Sequence, residues 1–251
     1  MDPACRLDPI AELRQRVAAL SGVTRVGGSV AFGVADLDDR LADGGLARGG
    51  LHEVAPAMPA LAEDAAATLF LAGIATRAVP HAPVLWALTR FDLYAPALEQ
   101  AGLSPDRVVF AQARDDREVL AVVEDALRHG GLSAVIGEAR RVDMTAARRL
   151  QLAAADGQTP ALLLRRWRKR GTCPMAEPST ATTRWRIGCA PSAPLGMPGV
   201  GRPRWAVELV RQRNGNPFTL VLEGCDAQGR LGLPAPSADR AAGAGRHAYA
   251  A

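Results

Sequence analysis

The stretch Gly44 to Arg77, GGLARGGLHEVAPAMPALAEDAAATLFLAGIATR, does most to restrict what this chain can fold into. A glycine-rich turn leads into a short apolar run, a proline-containing loop and a long alanine-rich run. The order reads as turn, buried strand, loop and helix, the layout in which α/β proteins hold phosphate against a helix N-terminus. The phosphate-binding residues themselves are missing. A P-loop needs glycines that let backbone N–H groups approach the phosphates, a lysine that reaches the β/γ-phosphates, and a Ser or Thr hydroxyl for Mg²⁺. No glycine lies between Gly50 and Gly73, and the only lysine in the chain is Lys169. The helix opens instead on Glu63 and Asp64, whose carboxylates answer the positive end of the dipole and repel a polyphosphate. The element is therefore read as a nucleotide-binding architecture kept for its shape, with no cofactor, no metal and no catalytic residues.

Strands and helices alternate on either side of this stretch. Val30–Phe32 reads as a short strand and Asp36–Ala42 as a short helix. Leu51–Ala55, Pro83–Thr89, Arg107–Ala113, Ser133–Glu138 and Pro160–Leu164 read as core strands. The helices between them are Ala60–Arg77, Leu93–Ala101, Asp115–His129 and Asp143–Ala155. Short apolar strands separated by helices imply a mostly parallel sheet with helices on both faces. After residue 171 the pattern changes to Arg184–Cys189, Trp205–Arg211 and Phe218–Glu223, the last two flanking Asn214-Gly215-Asn216, a hairpin signal. An antiparallel C-terminal extension on a parallel α/β sheet is expected. The division follows as an N-terminal arm with a short amphipathic helix at Asp8–Leu20 (1–28), a core (29–225) and a disordered Gly/Pro/Ala/Ser-rich tail (226–251).

Composition narrows the function classes. The longest uncharged run in the first half, Ala65–Thr76, is well short of the ~20 apolar residues of a membrane span. No secretory signal pattern opens the sequence, so no membrane association and a cytoplasmic location are expected. Cys5, Cys173, Cys189 and Cys225 form no C-x-x-C pair, against both a structural zinc and a disulfide framework. Charge is uneven. Between residues 165 and 213 eleven Arg and Lys face only Glu177 and Glu208, in a chain whose net charge is +4.

The run from Phe32-Gly33 through Leu37-Asp38 to GGLARGGLHEVAP resembles the stretch that leads into the Walker A loop of RecA-type recombinases, and RVVFAQARDDREVLAVVEDAL followed by SAVIGE continues the likeness. LHEVAP before an alanine-rich helix, together with RRLQLAAA at Arg148–Ala155, resembles the ImuA family, the RecA-like, SulA-like proteins of bacterial mutagenesis cassettes, over roughly residues 30 to 225. That resemblance implies a RecA-like core. It also implies a non-catalytic role in SOS-induced translesion synthesis alongside an ImuB-like Y-family polymerase relative and an error-prone C-family polymerase, with RecA and single-stranded DNA as further partners. Where a RecA-type ATPase has its Walker B acid the chain has Gly137 and then Glu138, and where the catalytic glutamate would follow the second strand it has Thr89-Arg90. An ATP-dependent recombinase with an unorthodox site and a SulA-like division inhibitor are the alternatives.

By the same resemblance, the segment after the fifth strand corresponds to the loop through which recombinases hold single-stranded DNA. There Arg165, Arg166, Arg168, Lys169 and Arg170 surround Trp167, and further on Arg184 and Arg186 surround Trp185. Guanidinium groups neutralise phosphates and an indole face stacks bases, so these nine residues are candidate DNA or partner contacts. The other reading is that strand alternation sends the tryptophans into the core and leaves the arginines solvated. A basic patch also suits an acidic protein partner. His52, His81, His129 and His247 show no ligand spacing, and Asp115, Asp116 and Glu118 read as first-turn carboxylates of a helix.

Overall fold

The computed structural model describes residues 28–167, 172–192 and 201–234. The first half of the described chain contains β1 (Ser29–Val30), α1 (Ala35–Asp38), β2 (Leu46–Ala47), β3 (Leu51–Pro56), α2 (Leu61–Ala78), β4 (Val84–Leu88), α3 (Ala95–Gln100) and β5 (Val108–Gln112). It continues with α4 (Asp116–His129), β6 (Ala134–Ala139), α5 (Met144–Gly157), β7 (Ala161–Arg165), β8 (Thr183–Ala190), β9 (Arg204–Gln212) and β10 (Phe218–Glu223). β1 and β2 form a small antiparallel pair, and the remaining eight strands make one sheet in the order β10-β9-β8-β3-β7-β6-β4-β5. From β8 to β5 every pairing is parallel, and β9 and β10 are added antiparallel. The expected mixed α/β sheet is what the chain forms.

Each element follows from its residues. β3, β6 and β7 are buried on both faces, which is why they are short apolar runs without alternation. α4 begins where Asp115 Oδ1 accepts the backbone N–H of Glu118 (2.9 Å), and α5 where Asp143 Oδ1 accepts that of Ala146 (2.7 Å). Both are N-caps of the kind worth about 1 kcal/mol. α4 stops at Gly130, whose φ of 72° suits glycine.

α2 lies on one face of the sheet, packing Phe70, Leu71 and Ile74 into a core that also holds Trp86, Trp185 and Val207. Each such side chain stabilises by roughly 1.5–3 kcal/mol. Residues 30–46 and the segment after β10 cover its other side, so α2 is apolar around most of its circumference. α4 and α5 cover the opposite face with Val119, Val123, Leu127 and Leu150. Gly137 in β6 permits this approach, since a Cβ there would meet Val123 Cγ2 at 2.7 Å.

The segment after β10 departs from the expected disorder at its beginning. Asp226 accepts the backbone N–H groups of Gln228 and Arg230, Glu223 pairs with Gly232, and Leu231 is buried. One leucine and one turn-forming aspartate give these residues enough contacts to pack. The expected helix at Asp8–Leu20 and residues 235–251 lie outside the described residues.

Candidate functional site at the carboxyl ends of the parallel strands

In a parallel α/β sheet the loops at the strands' carboxyl ends form the ligand crevice. Here the β3–α2 turn, Ala57 to Ala60, leads from the end of a central parallel strand to the N-terminus of α2. The first of its backbone N–H groups, that of Ala57, is taken by the Ile187 carbonyl (2.7 Å). Ala60 caps α2 without a side-chain bond. Of the two first-turn carboxylates, Glu63 is turned inward to accept the backbone N–H of Cys189 in β8 (3.0 Å). The other, Asp64, faces the crevice.

A guanidinium stands opposite it. Arg166, the first residue after β7, donates from Nε to Glu138 Oε2 at 2.8 Å and lies 3.7 Å from both Asp64 Oδ1 and Asp92 Oδ1. The other Glu138 oxygen accepts from Trp86 Nε1 (2.8 Å). Burial raises the pKa of Glu138 and of Asp64 above the ordinary carboxylate range, with Arg166 opposing in both cases. Burial works against the Arg166 cation too, but Glu138, Asp64 and Asp92 outweigh it and hold its pKa above the usual value. Beside it Trp167 Nε1 donates to the Pro56 carbonyl (2.9 Å), tying the end of β7 to the end of β3. The crevice mouth is thus occupied by an ion cluster in which Arg166 meets three carboxylates, one of them, Asp92, also paired with Arg90.

The candidate contact residues divide. Arg165, Arg184 and Trp185 are interior, so the expectation that they meet DNA or a partner at the surface is corrected. Arg165 Nη1 and Arg184 Nε grip the two oxygens of buried Glu53 at 3.0 and 2.8 Å, and Arg165 also reaches Glu177 (2.6 Å). Trp185 lies 5.7 Å from the rings of Phe32 and Phe70, and its Nε1 donates to Thr183 Oγ1. The physical reason is charge: Glu53 sits in a strand covered on both faces, and a buried carboxylate needs cationic partners. Arg186 is partly exposed and bidentate to Glu208 across β8 and β9 (2.7 and 2.6 Å). Arg166 is in the ion cluster, Trp167 is half-buried, and Arg168, Lys169 and Arg170 lie outside the described residues.

Sequence reasoning missed both the Glu53 pair of bonds and the Arg166 cluster. A signal for the first existed, since a glutamate inside LHEVAP had to find a cation. His52 points to the other face. Its Nε2 donates to the Ala47 carbonyl and its Nδ1 accepts from Thr183 (both 2.8 Å), and burial lowers its pKa to about 4, the Ala47 bond opposing. These are structural bonds. Among the described residues no group of His, Cys, Asp and Glu is placed to hold a metal.

The sheet order, the helix layers and the crevice at the strand ends define a RecA-like α/β protein. A crystal structure of the RadB recombinase superposes over 82% of this chain and 100% of its own, with a TM-score of 0.57 at 16% identity. The chain belongs to the ImuA family: it is 38% identical over 207 residues to Protein ImuA of two Caulobacter vibrioides strains, NA1000 / CB15N and ATCC 19089 / CIP 103742 / CB 15, across 79% of this chain and 84% of theirs. No family model matches the sequence.

Proposed function

We propose that this protein is a non-catalytic, RecA-like accessory factor of damage-induced mutagenesis that serves SOS-regulated translesion synthesis in the cytoplasm, with an ImuB-like Y-family polymerase relative and an error-prone C-family polymerase as partners. RecA and single-stranded DNA are further partners under this reading. The observation that carries it is Arg166 drawn among Glu138, Asp64 and Asp92 at the crevice mouth. A triphosphate there would meet three carboxylates and a guanidinium already bonded to them, beside an α2 N-terminus that bears acidic residues. Three sequence features lend support: no lysine in the turn, no acid at Gly137, and Thr89-Arg90 where a catalytic glutamate would stand. Membership of the ImuA family supplies the mutagenesis setting. The core, residues 29–225, serves in this reading as a platform for partners, extended by the packed segment to 234.

The test is thermal unfolding of the purified protein with and without Mg-ATP, together with ATP hydrolysis in the presence of single-stranded DNA. A ligand at 100 times its dissociation constant stabilises by about 2.7 kcal/mol, so binding would be read as a clear rise in melting temperature. No rise and no DNA-stimulated hydrolysis are expected. Hydrolysis abolished by changes in residues 55 to 68 would overturn the reading.

A further inference from the structure

We propose that the groove between the N-terminal halves of α4 and α5 docks an acidic, leucine-bearing polypeptide segment of a partner protein. The groove holds about 1060 Å³, at the upper end of the ~300–1,000 Å³ usual for small-ligand sites, and it is open to solvent along exposed arginines. Its size and openness suit an extended chain. Thr89, Asp116 and Arg140 also line the smaller cavity at the Arg166 cluster, so the groove continues to the crevice mouth.

Its lining is five arginines and four carboxylates, but the two signs are not equally available. Asp115 and Asp143 cap their helices, and Asp116 Oδ2 accepts the backbone N–H groups of Arg140 (3.1 Å) and Arg141 (2.9 Å). Glu124 is held by Arg128 and Arg149. All four carboxylates therefore have partners within the fold. The exposed guanidinium groups of Arg117, Arg140 and Arg141 make no hydrogen bond or ion pair among the described residues. Unfilled bonding capacity in the groove is thus cationic, and the complementary ligand supplies carboxylates, which guanidinium binds in two-point, charge-assisted fashion.

Two features choose a polypeptide over a nucleic acid. The near balance of charge gives little long-range field, whereas nucleic-acid surfaces are strongly positive. The groove also has an accessible apolar floor of Leu120, Ala121 and Ala146, which a phosphate backbone cannot use and leucine side chains can. An apolar floor with an arginine rim is the anatomy of a peptide-docking surface. The inference rests on the accessory-factor reading only in expecting a protein partner.

Fluorescence anisotropy of the full chain with a labelled peptide of alternating aspartate and leucine tests it, with an all-glutamate peptide and an oligo-dT strand as comparators. Wild type is expected to bind the Asp/Leu peptide more tightly than either comparator. Combining Arg117→Gln, Arg140→Gln and Arg141→Gln is expected to weaken binding at least tenfold. Ala121→Glu, at an exposed helical position where folding is not at stake, is expected to weaken it similarly. No binding by wild type, equal binding by the triple variant, or equal affinity for the all-glutamate peptide would each overturn the proposal. Preferential binding of oligo-dT through the same arginines would overturn it in favour of nucleic acid. Mg-ATP thermal shifts on the same preparations keep the two readings apart, because a groove that binds nothing leaves the nucleotide result unchanged.

Discussion

Two short segments with nearly the same residues, Arg165-Arg166-Trp167 and Arg184-Trp185-Arg186, have opposite fates. In the first, the leading arginine is buried at the end of β7, the second turns to the crevice and the tryptophan is half-exposed. In the second, the leading arginine and the tryptophan are both buried within β8, on opposite faces, and only Arg186 reaches solvent. The difference teaches that where a basic residue stands in its strand decides its role. Arg165 and Arg184 fall on the face of the sheet where Glu53 lies and become interior counter-charges. Arg186 shares that face but stands two residues further along β8, opposite Glu208 of β9, and Arg166 lies just beyond the end of β7; both make partly solvated pairs.

The largest test of this contrast is Glu53→Ala. It leaves two buried guanidinium groups without their shared carboxylate, and loss of one partner from a buried pair costs about 3–5 kcal/mol. Chemical denaturation should show a fall of that order. A change below ~1 kcal/mol would mean the interior pair is not what holds β3, β7 and β8 together.

Next in size is the pH dependence from His52, which bonds the Thr183 hydroxyl just ahead of the second segment. Its folded pKa of about 4 lies below the ordinary 6.5, so the unfolded chain takes up a proton that the folded chain excludes. Stability is full above pH 6.5 and is lost as pH falls through about 4, a change on the order of 3 kcal/mol. His52→Gln should remove most of that slope in denaturation measured across the range.

Smallest is the comparison of the two outer arginines. Arg166→Ala leaves buried Glu138 with only Trp86 and should destabilise by about 1–3 kcal/mol. Arg186→Ala breaks a partly exposed pair and should cost at most about 1 kcal/mol. Equal effects would erase the distinction between crevice and surface.

Much of the fold was legible because the strands in question are buried on both faces. LHEVAP, SAVIGE and PALLL read as strands since nothing polar interrupts them except groups with a reason to be there. α4 was legible from its capping aspartate and its regular apolar stripe. Lateral order was not: β8 lies parallel beside β3 although 131 residues separate His52 from its partner Thr183 across the two strands. The misreading of Arg165 and Arg184 has the same source, since Glu53 is 112 and 131 positions away. Local pattern fixes which face a side chain takes, and only the sheet order reveals what waits there.

The segment that follows β10 has a practical corollary. Cys225 is partly buried, its thiol pKa pushed up to about 11 chiefly by desolvation, and it sits so close to Gly73 that no side chain would fit between them. Gly229 is pressed just as tightly against Gly102. These residues stitch the back of α2 to the loop after α3. A shortened gene product ending at the last strand would unpick that seam, so trimming for crystallisation or interaction screens should spare everything through Gly232.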